Sequence, residues 1–197
     1  MPPPRLLSIS PPDPDGAAAW VALAPSLVAA GADGLLLRVP GVSGLPLEAW
    51  VAGLAATGAA VLLHARTPGG LALALARGLG LHLPAGAGAV PGSALLGQSC
   101  HGLAELRTAA ACCAYATLSP IYAPMSKPDD ARPVLGPRVL ARACAAVDLP
   151  VLALGGIGVA QARACIAAGA WGFAGIGALS TPERVAALAS GLAAGRS

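Results

Sequence analysis

The sequence predicts an α/β protein, a single (β/α)8 TIM barrel that spans residues 1–197. Two observations favour this fold. Short apolar strands alternate with helical segments through eight units of roughly 20–25 residues each, which suits a small barrel. The strand segments are apolar at nearly every position, as expected for parallel strands that are buried on both faces. A doubly wound sheet has the same alternation and is the alternative, but eight units, with Gly-Ala-Asp and Gly-Ala-Trp before the second and eighth strands, favour closure.

The strands are assigned to short apolar runs flanked by residues that end regular structure. The first run stops at Pro11 and Pro12, which cannot donate to a strand ladder, and most later runs follow a glycine. The predicted strands are Leu6–Ser10, Gly34–Val39, Ala60–Ala65, Gly80–Leu83, Ala94–Ser99, Tyr115–Ser119, Val151–Leu154 and Phe173–Ile176. A long polar loop, residues 120–133, follows the sixth strand.

The helices are assigned to the segments between the strands, several of which end at a glycine such as Gly31 or Gly58. The predicted helices are Ala17–Ala29, Leu45–Ala56, Gly70–Arg77, Leu103–Cys113, Val139–Ala146, Val159–Ala168 and Thr181–Ala194. The last helix has the clearest start, with Pro182 in its first turn and Glu183 beside the positive end of the helix dipole. The connection after the fourth strand is too short for a full helix.

Composition excludes several classes of protein. The net charge of +3 and the scattered arginines argue against nucleic acid as a partner. No apolar stretch reaches about 18 residues without an interruption, so we expect no membrane span, and the amino terminus does not resemble a signal peptide. The five cysteines show no CxxC spacing, which argues against a disulfide framework or a zinc site and favours a reducing cytoplasm.

The region Leu152–Leu179 predicts a phosphate site. It reads as strand, glycine turn, helix and strand, and glycines at the ends of both strands leave backbone N–H groups open to an anion. In TIM barrels the loops after the seventh and eighth strands often bind phosphate. The alternative is that these glycines only form tight turns.

Polar residues cluster where the other strands end, which is where barrel active sites lie. Arg38 offers a fork for phosphate or carboxylate, or is a solvated arginine of the rim. His64 and His101 are candidates for acid–base chemistry, or structural hydrogen-bonding groups. His82, inside an apolar strand, is expected to be structural. The further candidates are Ser99, Ser119, Tyr122, Ser126 and Lys127, of which Lys127 could reach an anionic substrate or be an ordinary surface lysine.

Acidic side chains are missing from the same strand ends. No Asp or Glu ends the second to fifth strands. Since a magnesium site normally needs at least one carboxylate, we expect no metal here.

The chain resembles the thiamine phosphate synthase/TenI superfamily over nearly its whole length. The matching segments are LLLRV (35–39), HAR…ALALARGLGLHLP (64–84), LLGQSCHGLAEL (95–106), YATLSPIYAPMSK…PVLG (115–136) and LALGGI…AGAWGFAGIGAL (152–179). The resemblance implies a TIM barrel that holds a thiazole phosphate on the backbone of Gly156, Ile176 and Gly177. It also implies substrate contacts by Arg38, Ser99, Ser126 and Lys127.

The sequence departs from the synthase pattern at its metal site. The synthase joins a thiazole phosphate to an aminopyrimidine methyl pyrophosphate, with magnesium and basic groups that stabilise the departing pyrophosphate. Of Gln-x-Arg-x-Lys on the second strand only Arg38 is kept, and the Asn-Asp after the third strand is His64-Ala65. The acid after the fourth strand is replaced within residues 84–87, and an expected threonine is Pro124. Both magnesium carboxylates are therefore absent.

These departures favour the TenI branch, which includes thiazole tautomerases that need the phosphate site but not the pyrophosphate machinery. The leading interpretation is therefore a TenI-like protein that binds a thiazole phosphate, with tautomerisation as its candidate activity. The histidine those enzymes use matches Pro120 here, so His64 or His101 would have to move the proton. One alternative is a thiamine phosphate synthase, the only case that calls for magnesium; the other is a non-catalytic phosphate-ligand binder or regulator. A homodimer is a further hypothesis, by analogy with the superfamily.

Overall fold

Eight parallel strands close into a barrel in the computed structural model, which describes residues 2–123 and 133–194. The strands are Leu6–Ile9 (β1), Gly34–Leu37 (β2), Ala60–His64 (β3), Gly80–Leu83 (β4), Leu95–Cys100 (β5), Tyr115–Leu118 (β6), Val151–Leu154 (β7) and Gly172–Gly175 (β8). Each strand pairs with the next in the chain, and β8 pairs with β1, with Leu7 opposite Ala174. The predicted TIM barrel is confirmed.

Helices cover the outside of the barrel. They are Pro14–Ala29 (α1), Leu47–Ala55 (α2), Gly70–Arg77 (α3), Leu103–Ala110 (α4), Gly136–Ala145 (α5), Val159–Ala167 (α6) and Pro182–Ala194 (α7), with a 3₁₀ turn at Gly177–Leu179. No described helix connects β4 to β5, as the short connection predicted. None of these helices is both long and apolar enough to cross a membrane, as far as the described residues go.

Several helices start at other residues than the sequence predicts, and a side-chain cap accounts for one of them. Helix α1 begins at Pro14 rather than Ala17, because the Asp13 carboxylate accepts a hydrogen bond from the N–H of Gly16 at 2.7 Å. An acceptor at the N-cap satisfies one of the N–H groups that have no partner within the helix. Helix α5 begins at Gly136 rather than Val139 and carries a proline in its first turn.

Strand residues alternate between two apolar layers. Outward residues such as Leu35 and Leu37 join the helices in the larger core, while Leu36 between them faces the barrel interior. The interior core consists of Leu7, Ile9, Leu36, Leu62, Leu95, Tyr115, Leu152 and Ala174. Burial on both faces explains the nearly continuous apolar strands.

One half of the barrel interior becomes polar toward the carboxyl ends of the strands. Following the alternation two residues beyond the interior core, the inward positions of β3 and β6 are occupied by His64 and Thr117, and His82 of β4 and Ser99 of β5 extend this polar side. On β7 and β8 the corresponding residues are Leu154 and Ile176, which pack on the interior core. The barrel thus has a polar mouth on the side of β2–β6.

Candidate functional site

Arg38 lies just after β2 and is held by the neighbouring strand. Its N–H donates to Ser10 Oγ at 2.8 Å, and the Ser10 hydroxyl donates back to the Arg38 carbonyl oxygen at 3.2 Å. Burial, and then the charge of Arg66, lowers the pKa of the half-buried guanidinium. Burial and a neighbouring positive charge both disfavour the charged form of this side chain, so an anion bound beside it would stabilise it. Among the described residues no carboxylate pairs with Arg38, since the ion pair found there joins Arg77 to Glu48.

His64 at the end of β3 is a neutral hydrogen-bond donor. The backbone N–H of Arg66 donates to its Nδ1 at 3.1 Å, so the neutral ring carries its proton on Nε2. Burial, followed by the charges of Arg38 and Arg66, lowers the pKa of His64 to about 4. At neutral pH this imidazole therefore supplies an N–H and no positive charge.

His82 on β4 connects two other side chains of the barrel interior. Its Nδ1 lies 2.8 Å from the Tyr115 hydroxyl and its Nε2 lies 3.0 Å from Ser99 Oγ. The His64 and His82 ring centres are 5.8 Å apart. Burial, then His64 and Arg38, lowers the pKa of His82 to about 3, so this ring is also neutral. Ser99 is the partly exposed end of the chain of hydrogen bonds, at the mouth.

His101 is held by different partners from His64. Its Nδ1 lies 2.9 Å from the carbonyl oxygen of Ser119, and because a carbonyl only accepts, Nδ1–H is the donor. Its backbone N–H donates to the Glu105 carboxylate. His64 and His101, the two alternatives predicted from sequence for moving the proton, are thus held by different partners.

The two glycine loops of the predicted phosphate site differ in openness. Gly156 has a positive φ of 60°, and a Cβ there would lie 2.5 Å from the carbonyl oxygen of Ala123, so the missing side chain makes room for the loop after β6. Around Gly177, by contrast, a Cβ would meet nothing within 4 Å. The 3₁₀ turn that Gly177 begins is held in place from outside: the Ser8 hydroxyl donates to Leu179 O at 2.9 Å, and the Arg184 guanidinium donates to Gly177 O at 2.7 Å.

Two predicted substrate contacts, Ser126 and Lys127, lie outside the described residues. Three residues that sequence reasoning did not select also belong to the mouth or its interior. Arg66 places a second cation near Arg38 and His64. Tyr115 hydrogen-bonds to His82, and Thr117 has a buried hydroxyl that finds no partner. The inward position of Tyr115 and Thr117 was readable from the two-residue period of β6, but their contacts were not. Arg66 is an exposed residue of the turn after β3, which strand periodicity does not place.

The described residues of the mouth do not fit a magnesium ion. Magnesium prefers carboxylate and other oxygen ligands in octahedral geometry. Here the strand ends carry Arg38 and the neutral His64, and Glu105 accepts from a backbone N–H. Across residues 2–123 and 133–194, no three His, Cys, Asp or Glu side chains are grouped so that they could hold a metal.

A family model described as thiamine monophosphate synthase matches residues 47–179, which is more than half of the chain. The chain belongs to this family. The match covers the ends of β3 to β7, the interior histidine His82, Ser99, and the turn after β8.

Curated relatives are similar over about half of this chain. One is the thiamine biosynthesis bifunctional protein ThiM/ThiE of Symbiobacterium thermophilum, 44% identical over 48% of this chain and 20% of the relative. Another is the thiamine-phosphate synthase of Geobacillus kaustophilus, 38% identical over 52% of this chain and 47% of the relative. The matches therefore span less than half the length of both relatives.

A solved thiamine phosphate pyrophosphorylase from Pyrococcus furiosus has the same fold, with a TM-score of 0.77 over 98% of this chain and 97% of that protein, at 20% identity. A second, from Bacteroides thetaiotaomicron, gives a TM-score of 0.69 at 20% identity. At such low identity these structures establish the barrel and nothing about its chemistry.

The expectation of a TenI-like thiazole tautomerase is wrong. The curated relatives at about 40% identity carry the name thiamine-phosphate synthase, including those from Geobacillus kaustophilus, Methanoculleus marisnigri and Geobacillus thermodenitrificans. The carboxylates missing from the mouth favoured the wrong branch of the superfamily. The identity to the first two of these relatives extends over 104 residues each, which outweighs a few departures at the mouth.

Proposed function

We propose that this chain is a thiamine-phosphate synthase, which joins a thiazole phosphate to a hydroxymethylpyrimidine pyrophosphate and releases pyrophosphate. The observation that carries the proposal is the half-buried Arg38, clamped by Ser10 and left without a carboxylate partner among the described residues. A desolvated guanidinium in this state favours a multiply charged anion. The sequence relatives support the choice of reaction within the family.

In the proposed reaction the pyrimidine methylene carbon forms a bond to the thiazole ring nitrogen while its bond to the pyrophosphate oxygen breaks. Negative charge grows on the departing pyrophosphate, and Arg38, with Arg66 beside it, is placed to stabilise that charge. Neutral His64 offers its Nε2–H as a further donor. Because the described residues do not fit magnesium, no step is assigned to a metal.

The thiazole phosphate is assigned to the opposite side of the mouth. The apolar wall of Leu154 and Ile176 suits an uncharged ring, and the backbone around Gly156, Ile176 and Gly177 remains our proposal for its phosphate. Gly177 is more open than Gly156. Ser99, Ser126 and Lys127 remain proposed substrate contacts. We also propose that residues 1–197 act as one barrel domain on small phosphorylated molecules. The cytoplasmic location and the homodimer stay predictions.

The test is formation of thiamine phosphate from the two substrates, measured with added magnesium and with excess chelator. We expect Arg38→Gln to lower kcat/KM by about 100-fold or more, since it removes a charge from the transition state. Arg77→Gln is the matched control, because Arg77 is an exposed arginine of α3 that pairs with Glu48 on the outside of the barrel. Unchanged turnover in Arg38→Gln would contradict the assignment of this residue.

A second candidate is a non-catalytic binder of a phosphorylated ligand. It is favoured by one observation, the cationic mouth in which the described strand ends offer no carboxylate to a metal. The same assay separates the two functions. Binding of thiazole phosphate by calorimetry, without product under either metal condition, would reject the synthase and favour the binder.

A further inference from the structure

Three side chains from three different strands form one chain of hydrogen bonds inside the barrel. The Tyr115 hydroxyl of β6 lies 2.8 Å from His82 Nδ1 of β4, and His82 Nε2 lies 3.0 Å from Ser99 Oγ of β5. Tyr115 is fully buried and His82 nearly so, whereas Ser99 is partly exposed at the mouth. The chain therefore leads from the sealed interior to the space where a substrate would lie.

The glycine at position 97 makes this arrangement possible. A Cβ at Gly97 would lie 2.1 Å from Tyr115 Cζ and 2.5 Å from the Tyr115 hydroxyl oxygen. The ring thus occupies the volume that any side chain on this inward position of β5 would fill. Only across a glycine does the hydroxyl reach from β6 past β5 to the histidine on β4.

Counting donors and acceptors selects one tautomer of His82. A neutral imidazole has one N–H and one acceptor nitrogen, and the low pKa of this buried ring keeps it neutral. If Nε2 carries the proton, Tyr115 donates to Nδ1 and Nε2–H donates to Ser99 Oγ, so both buried donors of this chain of hydrogen bonds have an acceptor. The Ser99 hydroxyl hydrogen is then left free for the mouth.

The other tautomer leaves a buried donor without a partner. With the proton on Nδ1, the ring donates to the Tyr115 oxygen, and the Tyr115 hydroxyl hydrogen must find a different acceptor. Within the described residues, His82 is the one hydrogen-bond partner of the Tyr115 hydroxyl. The buried Thr117 hydroxyl on the same strand does not serve as an acceptor, because it forms no hydrogen bond. An unsatisfied buried donor is costly, so this tautomer is disfavoured.

We propose that Tyr115 and His82 are positioning residues that commit the Ser99 hydroxyl to donating its hydrogen to an anionic oxygen at the mouth. The inference rests on the proposed function, which supplies pyrophosphate as the anion. Tyr115 never touches the ligand. It acts through two hydrogen bonds: because Tyr115 donates to His82 Nδ1, His82 Nε2 carries a proton and cannot accept a hydrogen bond from Ser99.

The first experiment reads the tautomer directly in the ligand-free protein. The chain has three histidines, so two-bond ¹H–¹⁵N correlation spectra are simple, and His64→Gln and His101→Gln identify the His82 signals. We expect a neutral His82 protonated on Nε2. Tyr115→Phe removes the hydroxyl that donates to Nδ1, so this variant should give a mixture of the two tautomers. Thr117→Val, which deletes a buried hydroxyl of the same strand that makes no hydrogen bond, should leave His82 unchanged. An Nδ1–H tautomer in the wild type would overturn the proposal.

The second experiment measures binding of inorganic pyrophosphate by calorimetry to the wild type, Tyr115→Phe, Ser99→Ala and the double variant. Loss of a hydrogen bond to a charged group corresponds to roughly 10-fold weaker binding or more for Ser99→Ala, and we expect about 3- to 10-fold for Tyr115→Phe. In the Ser99→Ala background Tyr115→Phe should change affinity by less than about twofold. Equal losses in both backgrounds would mean that Tyr115 is merely structural, and would overturn the proposal.

The two experiments separate failure of the relay from failure of the proposed function. A wild-type protein that does not bind pyrophosphate removes the synthase proposal, and with it the anion that Ser99 is said to meet. The tautomer of His82 is measured without ligand, so it supports or rejects the Tyr115–His82–Ser99 orientation in that case also. If Tyr115→Phe does not fold, the wild-type tautomer still decides the question.

Discussion

Gly97→Ala should be among the most destabilising single-methyl additions in this protein. The new Cβ would lie 2.1 Å from Tyr115 Cζ, where ordinary carbon–carbon contact is about 3.5–4 Å, so the ring or the strand must move by more than 1 Å. Overpacking costs about 1–3 kcal/mol, and separating the buried Tyr115 hydroxyl from His82 adds about 1–3 kcal/mol. We expect a loss of about 3 kcal/mol or more, which lowers Tm by roughly 6–12 °C in a chain of this size.

The assay is urea and thermal unfolding followed by circular dichroism. Gly53→Ala in α2 is the matched control, because its Cβ would meet only Val21 Cγ1 at 3.8 Å, and alanine should stabilise the helix by about 0.5–1 kcal/mol. Replacing the ring by Tyr115→Leu should relieve the clash, so Gly97→Ala should cost less in that background. The reasoning is refuted if Gly97→Ala costs less than about 1 kcal/mol, or costs the same with and without the ring.

Three further predictions follow from burial and capping. His64 and His82 have pKa values of about 4 and about 3 in the folded protein, below the ordinary 6.5, so the unfolded chain binds protons first as the pH falls. The free energy of unfolding, measured by urea titration, should therefore drop by about 2 kcal/mol per histidine between pH 7 and 5. A free energy of unfolding that does not change over this range would contradict both lowered pKa values. Asp13→Ala should cost about 1 kcal/mol in the same measurement through loss of the α1 cap, whereas Asp15→Ala, whose carboxylate accepts no such bond, should cost less. Iodoacetamide at pH 7.5 should label Cys112 before the other cysteines, as followed by peptide mapping. Cys112 is exposed, whereas burial raises the pKa of the other four thiols to about 11 or 12. Earlier labelling of any of those four would show that burial does not protect them.

Part of the candidate site was predictable from position alone. Arg38, His64 and Ser99 were selected because they end predicted strands, and all three lie at the barrel mouth or just inside it. His82 was expected to be structural because it lies inside an apolar strand, and it is buried there, where it links Tyr115 to Ser99. The inward face of a strand can hold a polar group wherever a neighbouring strand supplies its partner, and that partner is invisible in the local pattern.

On sequence grounds, eight alternating units of apolar strand and helix favoured the barrel over a doubly wound sheet, and they indicated which ends of the strands would carry the polar groups. The period of two residues also determines which side chains face inward. Only the tertiary structure decided which of them meet, because Tyr115 and His82 are 33 residues apart and His82 and Ser99 are 17 apart. Closure of a barrel sets the stagger between strands, and local periodicity contains no information about that stagger. Gly97 has no distinctive signal in the sequence, and its role is visible only in the structure, where the ring of Tyr115 lies across it.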